Sequence, residues 1–269
     1  MIPLRSLAFN IAFYVTIIVE MIIFTPYYFL APRKQAWFVP KFWARSNLWL
    51  QKVIVGADHE IEGLENFPQG SFIIAPKHQS FWDTFAFLPH IPDTLYILKR
   101  ELMWIPLFGW YVAKQRMIPV NRGSRAKVLK EVVRLTRERM AEGRQLIIYP
   151  EGTRRAPGAP PSYKYGIAEL YDQLGLPVVP IAHQAGLYWP RRKFLRFPGT
   201  IRVRILPPIP PGLDKETFHA RLIAETEAAC DEILVETAAG PDCPPLPRSA
   251  LERLRELGVE PARAGQNVS

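Results

Sequence analysis

Four residues separate His78 from Asp83 in the stretch His78-Gln79-Ser80-Phe81-Trp82-Asp83. Histidine is the side chain whose ordinary pKa lies near neutrality. A carboxylate folded back onto its ring fixes the tautomer and stabilises the imidazolium as it forms. Together they can take a proton from an alcohol. The same residues also fit a plainer structure. Ser80 and Asp83 have the S-x-x-D spacing of a helix cap, which would leave His78 a polar residue beside a turn. The spacing alone leaves both open. A serine-hydrolase site is not indicated, because no G-x-S-x-G elbow is present. The five histidines also lack metal-ligand spacing.

Two further stretches carry donors. In Tyr149-Pro150-Glu151-Gly152-Thr153-Arg154, glycine permits close backbone approach, Thr and Arg can donate to an anion, and the arginine fork matches phosphate. An ordinary loop fits these residues equally well. Ile118-Pro119-Val120-Asn121-Arg122 ends in another cation, for which a surface salt bridge is the plainer role.

Positioning these groups falls to an α/β pattern that begins near Ile61. Short apolar runs predict strands at Ser71–Ala75, Leu95–Leu98, Met117–Val120, Leu146–Tyr149 and Val178–Ala182. Ile201, Val203 and Ile205 alternate with Arg202 and Arg204, as in a strand with one wet face. Helices are expected from Ser80 to Phe87, Ser124 to Glu142, Gly166 to Leu174 and Asp214 to Ala238. Gly143 and Gly175 are natural stops. His, Asp, Glu and Arg delivered from several strand ends suit an open sheet, where ligands bind outside the carboxyl ends of strands.

The 24 residues Leu7–Leu30 are almost all apolar, and about 20 such residues can span a bilayer. Asn10, Glu20 and Pro26 interrupt the run, so a single span and a bent monotopic anchor both fit. A buried core helix is the third reading. The run is too long for a signal peptide, with no small-residue cleavage site after it. Tyr27, Tyr28, Trp37 and Trp43 suit an interfacial belt. Arg5 alone precedes the segment, and Arg33, Lys34, Lys41 and Arg45 follow it, which places the rest of the chain in the cytoplasm.

The 269 residues carry a net charge of +9, and the isoelectric point is near 9.6. Such a chain suits nucleic acid, an anionic membrane or an acidic ligand. No stretch resembles a nucleic-acid module, and the apolar N-terminus favours the membrane. Cys230 and Cys243 form neither a disulfide framework nor a metal set.

In combination, the motifs resemble the glycerolipid acyltransferase family, best known as the 1-acyl-glycerol-3-phosphate acyltransferases. Lys77 to Asp83 is similar to its N/K-H-x-S-x-x-D block, and Tyr149 to Arg154 to F-P-E-G-T-R. Arg122 ends a strand as its second block does, and Val179-Pro180-Ile181 matches V-P-I. Lys99-Arg100-Glu101-Leu102, Pro106 to Trp110, and Lys164-Tyr165-Gly166 look like K-x-E-L, P-x-x-G-W and K-x-G. The likeness runs from about residue 60 to 210.

The resemblance implies a single acyltransferase domain with a mixed sheet flanked by helices, over residues 51–239. A membrane anchor and interfacial segment (1–50) precede it, and a proline-rich peripheral tail (240–269) follows. It implies His78 as general base with Asp83 as its partner, and Lys99, Arg122 and Arg154 as phosphate contacts. Glu151, Gly152 and Thr153 would shape the acceptor site. The acceptor would be a lysophospholipid, with acyl-CoA or acyl-carrier protein as donor and neither cofactor nor metal. Asn121, where an acidic residue is common, and Arg155, where a small polar one is, depart from the family pattern. Related acyltransferases using another acceptor, such as a lyso-ornithine lipid, share the motifs, and a noncatalytic membrane-binding homologue would keep the fold.

Overall fold

The computed structural model of the protein describes residues 1–120 and 125–260, with only the backbone of residues 125–128. Seven strands form one sheet: β1 (Ala57–Glu62), β2 (Phe72–Pro76), β3 (Thr94–Lys99), β4 (Ile118–Val120), β5 (Gln145–Ile147), β6 (Val178–His183) and β7 (Gly199–Ile205). Their order is β1-β7-β6-β2-β5-β3-β4. Strands β2 to β6 are mutually parallel, β7 runs antiparallel to β6, and β1 lies parallel to β7. The sheet is therefore mixed, and five carboxyl ends open on one edge.

Nine α-helices accompany it among the described residues: α1 (Ile2–Leu30), α2 (Arg33–Ala36), α3 (Phe38–Leu50), α4 (Phe108–Lys114), α5 (Arg125–Met140), α6 (Gly166–Leu174), α7 (Ala185–Tyr188), α8 (Lys215–Ala239) and α9 (Arg248–Glu256). Both sheet faces are covered. From β2, Phe72 and Ile74 join a core with Phe9 and Phe13 of α1 and Leu48 of α3. Ile73 and Ala75 point the other way, to Ile167 of α6 and Phe218 of α8. A central strand buried on both faces needs an unbroken apolar run, which β2 has.

No regular helix forms over residues 80–87, where one was expected. The chain makes a single turn of 3₁₀ helix at Trp82–Thr84 instead. Trp82, Phe85, Ala86 and Phe87 are all buried, so there is no single apolar stripe for an amphipathic helix to bury. The Asp83 carboxylate also accepts the N–H groups of Gln79 and Ser80, which lie behind it in the chain. The proline-rich stretch after Gly240 leads into α9, whose Ala250 and Leu254 are fully buried in the main core.

Helix α1 is long and apolar enough to cross a membrane, and only 11% of its most apolar stretch is buried. It is not the buried core helix that its composition also allowed, and an exposed apolar helix suggests membrane anchoring. One stripe, with Leu4, Leu7, Ile11, Ile18 and Ile22, is exposed. The opposite stripe is fastened to the domain along its length. Ser6 donates to the Arg196 carbonyl, Phe9 and Phe13 pack edge-on against Trp189, and Tyr28 stacks on Tyr111 at 3.8 Å. Just beyond the helix, Arg33 grips Asp93 with two bonds of 2.6 and 2.8 Å.

Candidate active site

Lys77 extends the β2–β6 ladder by one bond, its N–H donating to Ile181. Past it the chain leaves the sheet, so His78 must be held by other means. Its N–H donates to Glu151 Oε2 at 3.2 Å and its carbonyl accepts from the Arg155 N–H at 2.8 Å. Both contacts come from the loop after β5, the neighbouring strand. The two stretches singled out in the sequence therefore clasp one another at adjacent strand ends.

The His78 ring meets Asp83 through Nδ1 and Oδ1 at 2.8 Å. Asp83 is fully buried, and its Oδ2 accepts the Gln79 and Ser80 N–H groups at 2.8 Å each. An ionised carboxylate only accepts, so Nδ1 carries the proton and Nε2 keeps a lone pair. The side chain remains 15% exposed, which gives a substrate access. Tyr149 stacks on the ring at 4.1 Å, and its hydroxyl donates to the Asp83 carbonyl. Burial pushes the Tyr149 phenol well above its ordinary value, so it stays a neutral donor.

A second imidazole, from His183 at the end of β6, lies 3.7 Å from Asp83 Oδ2. Its Nε2 donates to the Lys77 carbonyl at 2.7 Å, and its Nδ1 accepts from the Ala185 N–H. Burial lowers its pKa, most strongly among the causes, and the ring is neutral. The sequence reading passed over this residue. No motif marks it: Pro76 pairs with Ile181, and only that strand register, carried on by two residues, sets His183 beside His78.

Gly152 has φ +64° and its N–H closes a turn onto the Tyr149 carbonyl. That left-handed turn, which glycine adopts without penalty, presents Thr153 and Arg154 outward. Arg154 is half-buried and makes no ion pair among the described residues. Burial, then the Arg191 charge, lowers its pKa, while Asp83 opposes them. Arg191 itself donates to the Arg154 carbonyl at 2.8 Å. Glu151 points the other way. It is 1% exposed and pairs with Lys77 at 3.0 Å, so its carboxylate faces the protein rather than an acceptor. Lys99 ends β3, exposed, on the same sheet edge. Arg122 and Asn121 lie outside the described residues. Among the described residues, no group of three or more His, Cys, Asp or Glu side chains gathers to hold a metal.

A family model described as Acyltransferase matches residues 58–184, the span holding His78, Asp83, Lys99, Glu151, Arg154 and His183. The chain is 37% identical to a 1-acyl-sn-glycerol-3-phosphate acyltransferase of Pseudomonas aeruginosa over 216 residues, 79% of this chain and 82% of that one. The chain belongs to the 1-acyl-sn-glycerol-3-phosphate acyltransferase family. A mouse family member, the alpha enzyme, is 26% identical over 75% of this chain and 73% of its own. In fold, the chain resembles the crystal structure of the acyltransferase PlsC from Thermotoga maritima. The TM-score is 0.71 at 22% identity, covering 87% of this chain and 99% of the other.

This acyltransferase also holds an apolar cavity of about 390 Å³ between the N-terminal helices and the sheet. Met21, Trp43, Phe85, Ile97 and Phe108 line it. Tyr149 lines it too, and the same ring stacks on His78. The cavity thus reaches the residue against which the His78 ring packs.

Proposed function

We propose that the protein transfers a fatty acyl group from a thioester, acyl-CoA or acyl-carrier protein, to the sn-2 hydroxyl of 1-acyl-sn-glycerol-3-phosphate, giving phosphatidic acid. The observation that carries this is the placement of the free Nε2 of His78. Tyr149, stacked on the His78 ring, lines an apolar cavity suited to a hydrocarbon chain, and Arg154, on the loop that clasps His78, has no ion pair among the described residues and suits a phosphate. Nε2 takes the hydroxyl proton as the oxygen attacks the thioester carbonyl. The C–S bond then breaks, and the thiolate leaves with the proton from the imidazolium. Buried Asp83 stabilises that imidazolium while it exists. The activity named for the Pseudomonas aeruginosa relative supports this reading.

The same proposal places α1 along one leaflet instead of across it. Ser6 and Tyr28 both touch the domain, yet they are about 33 Å apart at 1.5 Å per residue. That matches the hydrocarbon thickness of about 30 Å. A spanning helix would carry its two contacts to opposite sides of the bilayer, and one folded domain cannot follow. Lying flat, α1 turns its exposed stripe to lipid and holds His78 at the depth of a lysolipid head group. The basic residues after α1 favour the cytoplasmic face.

The deciding assay takes purified protein with a panel of lyso-lipids and acyl-CoA. Phosphatidic acid formed from 1-acyl-glycerol-3-phosphate in preference to products from phosphate-free acceptors supports the reading. Preference for a lyso-ornithine lipid or another phosphate-free acceptor overturns it.

A further inference from the structure

Beneath the site lies a cluster of charges that the reaction itself does not use. Lys77, 3% exposed, places its ammonium 3.0 Å from Glu151 Oε1 and 2.5 Å from Glu227 Oε1. The Tyr163 hydroxyl donates to the same Glu227 oxygen at 2.8 Å, and its ring lies under the ammonium at 5.2 Å. Four segments converge here: the strand end before His78, the loop after β5, the stretch before α6, and the middle of α8.

A buried ion cluster is expensive to build and is weak evidence for stability by itself. Here its geometry has a consequence for catalysis. Glu151 uses its other oxygen to accept the His78 N–H, and beyond the Lys77 ladder bond that backbone is fastened by this contact together with the Arg155 N–H on the His78 carbonyl. A carboxylate as buried as Glu151 keeps its place only if a cation stands opposite, and Lys77 is that cation. Burial raises the Glu151 carboxyl above its ordinary value, with Lys77 opposing it most strongly. Lys77 in turn has three donors, and α8 supplies the second anion that fixes its direction.

We infer that Lys77 and Glu227 are positioning residues for the general base: α8 holds the ammonium, the ammonium holds Glu151, and Glu151 holds the His78 backbone so that Nε2 faces the substrate. The inference rests on His78 being the base. It also assigns the Lys in the K-H-x-S-x-x-D stretch a task that depends on a glutamate 150 residues away.

Neither Lys77 nor Glu227 touches substrate in this arrangement, so their loss should appear in kcat and spare both KM values. The test uses the full-length membrane-bound chain with acyl-CoA and 1-acyl-glycerol-3-phosphate. Lys77→Met should lower kcat about a hundredfold, the scale of a small misplacement of a reacting group. Glu227→Ala should lower it about tenfold, the loss of one charge-assisted contact. Glu227→Gln, whose amide oxygen still accepts from the ammonium, should recover most of what Glu227→Ala loses. Both KM values should hold within about threefold throughout.

A folded Lys77→Met protein with kcat within about threefold of the parent overturns the inference. So does a loss that falls on KM instead. Should Lys77→Met fail to fold, the Glu227 variants decide, and undiminished kcat in Glu227→Ala sinks it. His78→Ala runs alongside: full activity there removes the general-base reading itself, whereas an inactive His78→Ala with a normal Lys77→Met removes only this inference.

Discussion

Asp83 binds the imidazole of His78 through one oxygen and the backbone of Gln79 and Ser80 through the other. The carboxylate that orients the ring therefore also builds the turn that brings it there. This explains why Asp83 reads equally well as a turn-former beside Ser80 and as the partner of His78: one carboxylate reaches both.

Removing either member should separate the two jobs. His78→Ala deletes the proposed base but leaves the turn, so the fold should survive while turnover falls by about 10²–10⁴-fold or more. Asp83→Asn keeps the turn-forming oxygen but can present an amide N–H to Nδ1, which selects the wrong tautomer. It should lose activity with a smaller change in Tm than Asp83→Ala. Steady-state kinetics and thermal unfolding on the same preparations check this. A folded His78→Ala enzyme at near-normal turnover would end the proposal.

His183 makes a prediction about pH. Its pKa is lowered by burial from 6.5, so the unfolded chain takes up a proton that the native protein refuses. Stability then rises with pH wherever the unfolded state binds more protons. The contribution is complete above the ordinary value and declines as pH falls below 6.5 towards the lowered native one. His59 and His90 are lowered in the same way and add to the slope. Tm should fall between neutral and mildly acidic pH, and His183→Gln should flatten part of that fall. An unchanged slope in the variant would show that His183 does not titrate on unfolding.

A third prediction concerns Asp93, which ties Arg33, Trp37 and the fully buried Arg144 together. Burial would raise its carboxyl, but Arg33, Arg144 and Trp37 outweigh it and hold the pKa below the ordinary value. Asp93→Ala leaves Arg144 buried without its anion, a class of change that costs about 3–5 kcal/mol. Thermal or urea unfolding reads the loss directly. Because the native pKa is depressed, the contribution is present above the ordinary carboxylate value and disappears as pH falls through the native one. Parent and variant should therefore converge in stability in acid.

The sequence made the central strands legible because β2, β5 and β6 are buried on both faces and read as apolar runs. The helix Gly166–Leu174 was legible from its spacing and its stop at Gly175, which has φ +60°. Strand β1 was not. Asp58, His59 and Glu60 give it no apolar run, and it forms by pairing with β7 at the sheet edge. Spacing allowed His78 and Asp83 to meet across a turn of four intervening residues without deciding that they do, and the family resemblance paired them. Spacing said nothing of which way Glu151 faces, because that is settled by Lys77 and by Glu227, far along the chain. His183 escaped notice for the same reason: only strand register brings it to Asp83.

If α1 lies flat, both of its ends are on one side of the membrane. Single cysteines at Ile2 and Lys34, in a Cys243→Ser background, should then react with an impermeant thiol reagent from the same side. Inside-out vesicles should expose both and right-side-out vesicles neither. Labelling from opposite sides would establish a span and refute the flat anchor.

The last prediction concerns the acceptor head group. Arg154 stands next to the field of Asp83 with no ion pair among the described residues, and the Arg191 guanidinium is bonded to its carbonyl. Burial and like charge both work against an isolated cation here, so the arrangement favours an anionic ligand. A hydrogen bond to a charged group contributes about 1.5–3 kcal/mol, and 1.4 kcal/mol is about tenfold. Arg154→Ala should therefore cut kcat/KM for 1-acyl-glycerol-3-phosphate by roughly ten- to a hundredfold. Arg154→Lys should recover little, because an ammonium cannot reproduce the planar fork. Thioester hydrolysis by water, which has no phosphate to place, should change less. The comparison that decides is the ratio of kcat/KM for the phosphate acceptor to that for a phosphate-free lyso-lipid. The substitution should collapse that ratio towards one. A ratio that Arg154→Ala leaves intact would move the phosphate elsewhere on the sheet edge, with Lys99 the next cation to replace.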